Sequence, residues 1–453
     1  MTLTDHKQSI SIIVLAAGEG TRMKSSLPKV LHPIGGRAML GHVLAVGQAL
    51  EPVHTGLVLA PGMDKVKSFA RDTAPGLQFF TQQPALGTAH AVLAARDMLE
   101  GLTGDVVILY GDTPLIRSET LQEMIRTRRE ASAGVVVLGF EADDPGAYGR
   151  LVLEPSGALS AIVEAGEADD ETRAITFCNS GVVLVDATIL LDLLDAVDNN
   201  NAKQEYYLTD IIAIARKKGI ACAAVEADER EVLGVNSRAE LALAEIIFQD
   251  RMRQAALDHG VSLNDPSSVY FSYDTELDRD VIVAPQVVFG PGVRVGEGAI
   301  INAFSHIEGA TIAAHARIGP FARLRPGAKI GEDVHIGNFV EVKKSEIEAG
   351  AKINHLSYIG DAFVGAKANI GAGTITCNYD GFNKHHTHIG KGVSIGSNNS
   401  LVAPVTIGDG AYTGSGSVIR KDVENDSLAL NDSKQKSFPQ WAVKFRKRIS
   451  NQK

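Results

Sequence analysis

The stretch LAAGEGTRMKSSLPK, residues 15–29, follows a short apolar run and brings glycine, arginine and lysine into one loop. Gly18 and Gly20 can take positive φ and carry no Cβ, so the loop's N–H groups can point into a shared hollow and hold an anion. Arg22 offers a planar fork of donors and Lys29 a compact ammonium, and both suit a phosphate whose charge moves during a reaction. The stretch therefore predicts a phosphate-binding loop at the end of a buried strand.

The residues around this loop alternate between apolar runs and helical patterns from residue 10 to about residue 236. Strands are predicted at residues 11–15, 56–59, 106–109 and 134–140, and helices at residues 38–50, 87–99 and 118–130. This alternation is typical of an α/β, Rossmann-like domain with a mostly parallel sheet covered by helices. Ligands of such sheets bind beyond the carboxyl ends of the strands, where the loop emerges.

Two oxygen-bearing side chains follow other apolar stretches and suit a metal ion. Asp112 comes directly after the run VVILYG, and Asn236 follows Gly234 and Val235 much later in the chain. A hard divalent cation such as Mg²⁺ prefers oxygen ligands of this kind. Asp112 is the first predicted ligand and Asn236 the second, although an aspartate before Thr113 would also suit a simple turn or helix cap.

Further polar groups lie at the ends of other apolar runs. Gln82 can donate and accept hydrogen bonds at once, as reading a pyrimidine edge requires. Other groups that could contact a nucleotide or a sugar are Gly87, Thr88, Gly149, Glu164, Asn179 and Thr209. Each of them alone could belong to an ordinary turn or core, and only their joint order indicates a site.

Length, charge and cysteine content limit the class of protein. A chain of 453 residues is too long for one ordinary core, which predicts two domains. Its net charge of −10 argues against a nucleic-acid partner. No apolar run reaches the roughly 18 residues that a membrane span requires, so no membrane insertion is expected. The three cysteines are widely separated, which disfavours a zinc site or disulfide framework and fits a cytoplasmic location.

The second half of the chain shows a different pattern. Residues 237–259 have helical spacing without proline or glycine, and we expect residues 237–262 to form a linker helix between residues 1–236 and 263–453. Beyond residue 264 aliphatic residues recur at six-residue spacing in successive runs that begin at Val283, Ile312, Ile347, Val364 and Ile389 and end at Ile419, and many of them are followed by glycine or asparagine. This hexapeptide repeat predicts a left-handed parallel β-helix of about seven or eight coils with the aliphatic side chains inside.

One segment interrupts the six-residue period. Between Ile370 and Ile389 the sequence GAGTITCNYDGFNKHHTH leaves the repeat, so a loop should project from the rod. A purely structural solenoid does not need such a loop, whereas a site between neighbouring rods does. By fold-level analogy, hexapeptide β-helices assemble as homotrimers.

The opening stretch resembles the signature loop of sugar-1-phosphate nucleotidylyltransferases, L-x-x-G-x-G-T-R-[ML] followed by P-K. Together with GNFVEVKK, INHLSYIGD and IGAGTITCNYDGFNK in the second half, nearly the whole chain resembles a family of bacterial bifunctional enzymes. These enzymes are both glucosamine-1-phosphate N-acetyltransferases and N-acetylglucosamine-1-phosphate uridylyltransferases. The resemblance implies synthesis of UDP-N-acetylglucosamine, a precursor of cell wall and lipopolysaccharide, from glucosamine-1-phosphate, acetyl-CoA and UTP with Mg²⁺.

In the first domain, the resemblance implies that Arg22 and Lys29 stabilise the transferring phosphoryl group, while Asp112 and Asn236 hold Mg²⁺. The residues that would bind the nucleotide are Leu15, Ala16, Ala17, Gly18, Lys29, Gln82, Gly87, Thr88 and Asp112. Those that would bind the sugar phosphate are Gly149, Glu164, Asn179, Thr209 and Asn236. One position departs from the family pattern, because Ala85 stands where a glutamine often precedes L-G-T.

In the second domain, acetyl transfer to an amine needs a base, and His355 matches the base of the family. The residues that would hold the sugar phosphate are Arg325, Lys343, Tyr358, Asn369 and Lys384, and those that would contact acetyl-CoA are Asn378, Tyr379, Ser397 and Ser415. Asp432 stands where the family has an arginine that faces CoA. Lys434, Lys436 or the basic residues 444–448 of a neighbouring chain could replace that arginine.

Two other functions remain open at this point. The chain could be a nucleotidylyltransferase with one activity, whose β-helix serves assembly or regulation, or a non-catalytic sensor of sugar nucleotides. An assembly rod does not require the group of His355, Tyr358, Asn378 and Lys384, which disfavours the first alternative. Arg22, Lys29 and Asp112 are all present, which disfavours the second.

Overall fold

The structure is a computed structural model that describes residues 9–201, 203–431 and 435–450. The chain divides into two compact units, Met1–Met252 and Arg253–Lys453. A helix, Arg238–Asp258, falls inside the predicted linker at residues 237–262. The finer division at residues 236 and 262 stays a prediction.

The first unit is built on a nine-stranded mixed sheet. In spatial order its main strands are Cys222–Ala227, Val135–Glu141, Phe177–Asp186, Asp105–Tyr110, Ile10–Leu15, His54–Leu59 and Gln78–Thr81, and Arg150–Leu153 and Leu159–Val163 extend it beside Phe177–Asp186. The helices of this unit are Met39–Gln48, Asp64–Thr73, Thr88–Leu93, Arg96–Leu99, Ser118–Glu130, Asp170–Arg173, Ala187–Leu194 and Asp210–Lys217. The α/β class is confirmed, with buried residues packed on both faces of the sheet.

The strands and helices that were predicted in the first unit agree with the structure to within two residues at each end, apart from one helix, and other elements of this unit were not predicted. The helix predicted at residues 87–99 is two helices, Thr88–Leu93 and Arg96–Leu99, separated by Ala94 and Ala95. The long strand Phe177–Asp186, which runs antiparallel to all three of its sheet neighbours, was not predicted. Its sequence FCNSGVVLVD has polar Asn179 and Ser180 and then Gly181 between apolar residues, so no simple alternation marks it.

The helix Arg238–Asp258 contributes its first turns to the first unit. Ala244, Ile247 and Phe248 are buried in one cluster with Ile34 and other apolar residues. Gly35 has φ of +53°, and a Cβ at this position would lie 2.1 Å from the Phe248 ring. The close approach of this turn to the helix therefore requires glycine.

The second unit is a parallel β-helix with three faces. The strands of the first face are Ser262–Leu263, Ile282–Val283, Ile300–Ile301, Arg317–Ile318, His335–Asn338, Lys352–His355, Asn369–Ile370, Ser394–Ile395, Tyr412–Thr413 and Leu428–Ala429. Those of the second are Glu276–Leu277, Arg294–Val295, Ala310–Ile312, Ala328–Ile330, Glu346–Ile347, Ala362–Val364, Thr387–Ile389 and Val405–Ile407. Those of the third are Val288–Phe289, His306–Ile307, Arg323–Leu324, Glu341–Lys343, Tyr358–Gly360, Ile375–Cys377, Ser400–Val402 and Val418–Ile419.

The hexapeptide prediction is confirmed at the level of single side chains. Every aliphatic position of the repeat points inside, and Val283, Ile336 and Ile419 are 0%, 1% and 5% exposed. Successive coils pair in register, for example Ile301 with Ile318 and Ile318 with Ile336. Each coil therefore buries one aliphatic side chain per face, which explains the period of six. A last helix, Trp441–Ser450, follows the coils.

The projecting loop is present but begins later than predicted. The strand Ile375–Cys377 continues the third face, and Thr376 fills the inward position with 1% exposure. Its hydroxyl accepts a hydrogen bond from the Gly360 amide at 2.8 Å, which satisfies a polar group that the six-residue pattern did not anticipate inside the rod. The chain leaves the coils only after Cys377, and Phe382 at the tip of the loop is 92% exposed.

Candidate active sites

A cavity of about 810 Å³ in the first unit opens at the carboxyl ends of the strands Ile10–Leu15 and Asp105–Tyr110. Twelve of the predicted site residues line it, namely Leu15, Ala16, Ala17, Gly18, Lys29, Gln82, Gly87, Thr88, Asp112, Glu164, Asn179 and Thr209. Ala85 also lines this cavity, as does Tyr110, which the sequence did not single out. The fold thus brings segments that are distant in sequence around one volume.

The glycine-rich loop packs against Lys29, which was predicted to bind phosphate together with it. Gly20 has φ of +65°, and a Cβ there would lie 2.5 Å from the Cβ of Lys29. The chain between them includes the short 3₁₀ helix Thr21–Met23. Arg22 lies on this helix, is exposed and is not among the residues that line the cavity. Lys29 therefore lines the cavity, whereas the side chain of Arg22 is exposed outside it.

The two predicted metal ligands converge on one point, which the ammonium of Lys29 occupies. Lys29 Nζ donates to Asp112 Oδ2 and, at 3.0 Å, to Asn236 Oδ1. The amide of Val235 donates to the backbone carbonyl of Asp112 at 2.9 Å, which fixes the two segments side by side. The side chains of Lys29 and Asp112 are only 10% and 21% exposed. Two oxygens that already share a cation are a donor set that fits Mg²⁺.

The side of the cavity that was predicted to contact the base is built around a buried glutamine. Gln82 is 6% exposed, and its amide nitrogen donates to the carbonyl of Gly87 at 2.9 Å and lies 3.3 Å from Nδ1 of His90. Thr88 Oγ1 accepts a hydrogen bond from the amide of Leu208 at 2.9 Å. These bonds orient Gln82 and join the cavity wall to the segment at residues 206–208. His90 was not predicted. It lies eight residues after Gln82, and nothing in that spacing indicates that the two side chains meet.

Gly87 is expected to be irreplaceable in this wall. Its φ is +106°, and a Cβ would lie 2.5 Å from the carbonyl oxygen of Tyr206. We expect Gly87→Ala to lower the free energy of unfolding by about 2–5 kcal/mol through strain and overpacking, and to raise the KM for UTP at least tenfold. Gly62→Ala is the control, since Gly62 has φ of +79° with open space around it. Equal effects of the two substitutions in thermal unfolding and kinetics would contradict the close-approach explanation.

Four of the five predicted sugar-phosphate residues of the first unit form a connected group, and the fifth, Asn236, contacts Lys29 instead. The amide of Asn179 donates to the carbonyl of Gly149 at 2.8 Å, and the Thr209 hydroxyl donates to Glu164 Oε1 at 3.3 Å. A Cβ on Gly149 would lie 3.7 Å from both Asn179 and Glu164. The group offers an amide, a hydroxyl and a carboxylate to a ligand, which is the donor and acceptor set that sugar hydroxyls need.

A carboxylate next to this group titrates unusually. Burial raises the pKa of Asp210 to about 6, and the charges of Asp198, Glu167 and Glu164 act in the same direction. The unfolded chain has the ordinary value near 4. Because the folded protein binds this proton more tightly, ionisation of Asp210 destabilises the fold, and the cost grows as pH rises from about 4 to about 6 and is constant above that.

Asp210→Asn is therefore expected to stabilise the first unit at pH 8. Since the carboxylate is only half-buried and solvent screens it, the expected gain is about 1–2 kcal/mol, or a few degrees in Tm. The gain should shrink as the pH is lowered toward 4. Asp64→Asn, at an exposed helix start, is the control and should show no such pH dependence. A gain for Asp210→Asn that is the same at pH 4 and pH 8 would contradict the assignment.

The predicted acetyl-transfer residues of the second unit lie along one corner of the β-helix and the adjacent third face. Consecutive coils are joined at this corner by backbone hydrogen bonds: Leu356 N to Asn338 O, Gly373 N to His355 O, Asn398 N to Ala372 O and Gly416 N to Ser397 O. His355, Ser397 and Ser415 therefore belong to one column. At about 4.8 Å per coil, the column from His355 to Ser415 spans roughly 14 Å.

His355 is exposed at this corner and has one side-chain partner. Its Nδ1 lies 2.9 Å from Oδ1 of Asn338, which is its register partner on the preceding coil. Asn338 was not among the predicted residues. It precedes His355 by 17 residues, about one coil, so alignment of the chain by coils would have found the pair.

Arg325, Lys343 and Lys384 lie close enough to one another to interact electrostatically. Arg325 Nη1 donates to Glu341 Oε1 at 2.8 Å. Hydrogen bonding to Lys384 lowers the pKa of Lys343, and burial and the charges of Lys384 and Arg325 act in the same direction. Mutual repulsion of this kind is relieved when an anion binds between the cations, so the group is suited to a phosphate.

The remaining predicted residues surround this group. Asn378 Nδ2 donates to Asp361 Oδ2 at 2.5 Å and lies 3.5 Å from the hydroxyl of Tyr358. A Cβ on Gly360 would lie 2.4 Å from that hydroxyl, so the Tyr358 ring can lie over this coil only because residue 360 is glycine. Asn369 is exposed on the first face, on the coil after His355.

The predicted acetyl-CoA residues are placed at two positions. Tyr379 is 60% exposed on the projecting loop, where it pairs with Lys384. Ser397 and Ser415 are exposed on the corner column, and the amide of Ser397 donates to Ser415 Oγ at 3.2 Å. Asp432 and Lys434 lie outside the described residues, whereas Lys436 and Lys444 are described and exposed.

Two absences apply to the described part of the chain, residues 9–201, 203–431 and 435–450. Within it no helix is both long and apolar enough to cross a membrane. In the same residues no three or more His, Cys, Asp or Glu side chains are grouped so that they could hold a metal ion. The metal ligands proposed below are two oxygen groups, one of them an amide.

Comparison with known proteins matches both halves of the chain. The family model of the MobA-like NTP transferase domain matches residues 12–175, and that of the bacterial transferase hexapeptide (six repeats) matches residues 309–344 and 386–421. A protein of Rhodospirillum rubrum is 57% identical over 435 residues, which covers 96% of each chain. Relatives from Paramagnetospirillum magneticum and Zymomonas mobilis are 54% and 50% identical over 438 and 447 residues, with at least 96% of each chain covered. All three relatives carry the name Bifunctional protein GlmU, and identity of this extent along both chains shows that the present chain belongs to the GlmU family of bifunctional proteins.

Proposed function

We propose that this chain makes UDP-N-acetylglucosamine in two sites, one in each unit. The second unit acetylates glucosamine-1-phosphate with acetyl-CoA, and the first unit joins UMP from UTP to the N-acetylglucosamine-1-phosphate and releases pyrophosphate. The chain is a nucleotidyltransferase and an acyltransferase, as its family and its two matched domains indicate. The observation that carries the proposal is the separate gathering of the two residue sets, one around a cavity and one along a corner of the β-helix.

In the first unit, the cavity holds UTP with its base toward Gln82 and its phosphates toward Lys29. Residues 15–18 and the wall at Gly87 and Thr88 enclose the nucleoside, and Gln82 offers its amide oxygen to the pyrimidine edge. No covalent intermediate with the protein is needed, so positioning and neutralisation of charge supply the catalysis. Ala85 lines the same cavity, but it lacks the side-chain amide of the glutamine that often stands at this position in the family. Other groups must therefore make that contact with uracil.

Asp112 and Asn236 hold Mg²⁺ in this proposal. Their convergence on the Lys29 ammonium supports the assignment, because the same point already binds a cation. Mg²⁺ supplies neutralisation of the charge on the phosphates. Lys29 donates to the transferring phosphoryl group, and Arg22, exposed on the loop, donates to the outer phosphates. Gly149, Glu164, Asn179 and Thr209 orient the acetylated sugar phosphate so that its phosphate oxygen attacks the α-phosphorus of UTP and pyrophosphate leaves.

In the second unit, His355 is the general base. The amine of glucosamine-1-phosphate attacks the thioester carbonyl, His355 accepts the proton that the nitrogen loses, and the sulfur of CoA leaves and takes up a proton. Arg325, Lys343 and Lys384 bind the phosphate. Tyr358, Asn369 and Asn378 fix the sugar ring. Acetyl-CoA lies along the corner column, in contact with Asn378, Tyr379, Ser397 and Ser415.

The second unit assembles as a homotrimer in this proposal. An apolar ladder supports a contact with another chain beside His355, because Phe304, Phe321, Phe339 and Leu356 are stacked on one corner and are 54%, 45%, 55% and 62% exposed. Adjacent phenylalanine rings lie 4.8 and 5.2 Å apart. A solvent-facing apolar ladder of this extent is typical of a surface that another chain covers.

Release of the free thiol of CoA tests the proposal against a nucleotidylyltransferase with one activity. The protein is mixed with acetyl-CoA and glucosamine-1-phosphate in the absence of UTP, and the thiol is measured with a chromogenic disulfide. We expect stoichiometric thiol release with glucosamine-1-phosphate and none with N-acetylglucosamine-1-phosphate, whose nitrogen is already acylated. If a preparation that is active as a uridylyltransferase released no thiol, the β-helix would not have the proposed acetyltransferase activity.

A further inference from the structure

The partner of His355 is an amide rather than a carboxylate. Oδ1 of Asn338 lies 2.9 Å from Nδ1 of His355. The carboxylate of Glu341, three residues after Asn338, is engaged by two arginines, at 2.8 Å from Arg325 and 3.8 Å from Arg323. The imidazole is therefore oriented by a neutral group.

An amide oxygen can only accept a hydrogen bond, so the imidazole nitrogen facing it must carry the hydrogen. When Nδ1 is protonated in a neutral imidazole, the lone pair is on Nε2. The opposite tautomer would place the lone pair toward Asn338 and leave Nε2 with a hydrogen, unable to accept a proton. A carboxylate in the place of Asn338 would also stabilise the charged imidazolium, which has no lone pair on either nitrogen.

The backbone around the pair is fixed, so the contact depends on the two side chains and not on a mobile loop. The amide of Leu356 donates to the carbonyl of Asn338 at 3.0 Å, and the Ser357 hydroxyl donates to the carbonyl of His355 at 2.8 Å. A Cβ on Gly337 would lie 2.0 Å from the carbonyl oxygen of Asn354, so only glycine lets these two coils meet in this register.

We propose that Asn338 is a positioning residue that holds His355 as the Nδ1–H tautomer and so keeps Nε2 free to take the proton of the attacking amine. This inference rests on the proposed acetyltransferase function of the second unit. It adds a residue to that site and assigns the nitrogen that accepts the proton.

Two variants of the full-length chain separate this role from a purely structural one. Asn338→Leu removes the acceptor at similar volume, and Asn338→Asp keeps an acceptor. We expect Asn338→Leu to lower kcat for acetyl transfer roughly 10- to 100-fold at every pH with little change in KM for either substrate. Asn338→Asp should keep most of the activity only at high pH, because the carboxylate stabilises the imidazolium and moves the pH profile upward. A parallel loss of kcat in both variants at every pH, or a rise in KM alone, would overturn the proposal.

The tautomer itself is read by nitrogen-15 NMR of histidine-labelled protein in the solid state, with the His355→Gln variant used to identify the signal among 13 histidines. Wild-type protein should show Nδ1 protonated and Nε2 unprotonated, and Asn338→Leu a mixture of both forms. A wild-type signal with Nε2 protonated would refute the inference. Because this spectrum needs no turnover, it distinguishes failure of the inference from failure of the proposed acetyl transfer, which would appear as an inactive wild-type protein.

Discussion

His355→Ala is expected to lower acetyl transfer by about 10²–10⁴-fold and to leave uridylyl transfer unchanged. The amine must lose a proton as it attacks the thioester, and general-base catalysis contributes a factor of that size. His355 is exposed on a corner that lies in the second unit, so its truncation removes no buried contact of either core. Thiol release and pyrophosphate release, measured on one preparation, report the two activities.

His306→Ala is the matched control for this substitution. His306 is exposed on the third face of the same β-helix, several coils from the corner of His355, and makes no part of the proposed site. It should retain both activities. A His355→Ala protein that has lost both activities while its unfolding curve is unchanged would mean that the two sites are not separate.

Asp112→Asn is expected to produce the opposite pattern. The substitution removes the charge of one of two oxygen ligands at the point where Lys29 and Asn236 converge. Electrostatic stabilisation of the transferring phosphate should fall, and uridylyl transfer with it, by about 10²–10³-fold, while acetyl transfer continues. Stabilisation of the protein by Mg²⁺ with UTP, measured as a shift of Tm, should also be lost.

Asp97→Asn is the control, since Asp97 is an exposed aspartate of the helix Arg96–Leu99. It should keep the shift of Tm and both activities. Full uridylyl transfer by Asp112→Asn, with an unaltered dependence on Mg²⁺, would exclude Asp112 as a metal ligand.

The β-helix could be predicted from sequence because its inward positions follow a short, regular spacing along the chain. Each coil repeats the same environment, so the period of six alone identified the inward positions, such as Ile336 and Ile419, which are 1% and 5% exposed. The start of the projecting loop was misjudged because Thr376 is polar. Its hydroxyl is satisfied inside the rod by the Gly360 backbone, a contact that crosses between coils and leaves no mark on the periodicity.

Candidate site residues could be proposed from the sequence where they belong to a motif of neighbouring residues or directly follow an apolar run. Residues 15–18 and Lys29 belong to one loop, and the structure gathers them with Gln82 and Asp112 around one cavity. Residues brought in by tertiary pairing were missed. His90 contacts Gln82 from the helix Thr88–Leu93, and Asn338 contacts His355 from the adjacent coil. Arg22 matched a motif, but its motif could not reveal that its side chain is exposed outside the cavity.

The central claim is that one chain acetylates and then uridylylates the same sugar phosphate. Mass spectrometry of the products made from glucosamine-1-phosphate, acetyl-CoA, UTP and Mg²⁺ tests it most directly. The account predicts UDP-N-acetylglucosamine, free CoA and pyrophosphate, with no uridylylated sugar when acetyl-CoA is left out. Formation of UDP-glucosamine without acetyl-CoA, or of N-acetylglucosamine-1-phosphate that is never uridylylated, would contradict it.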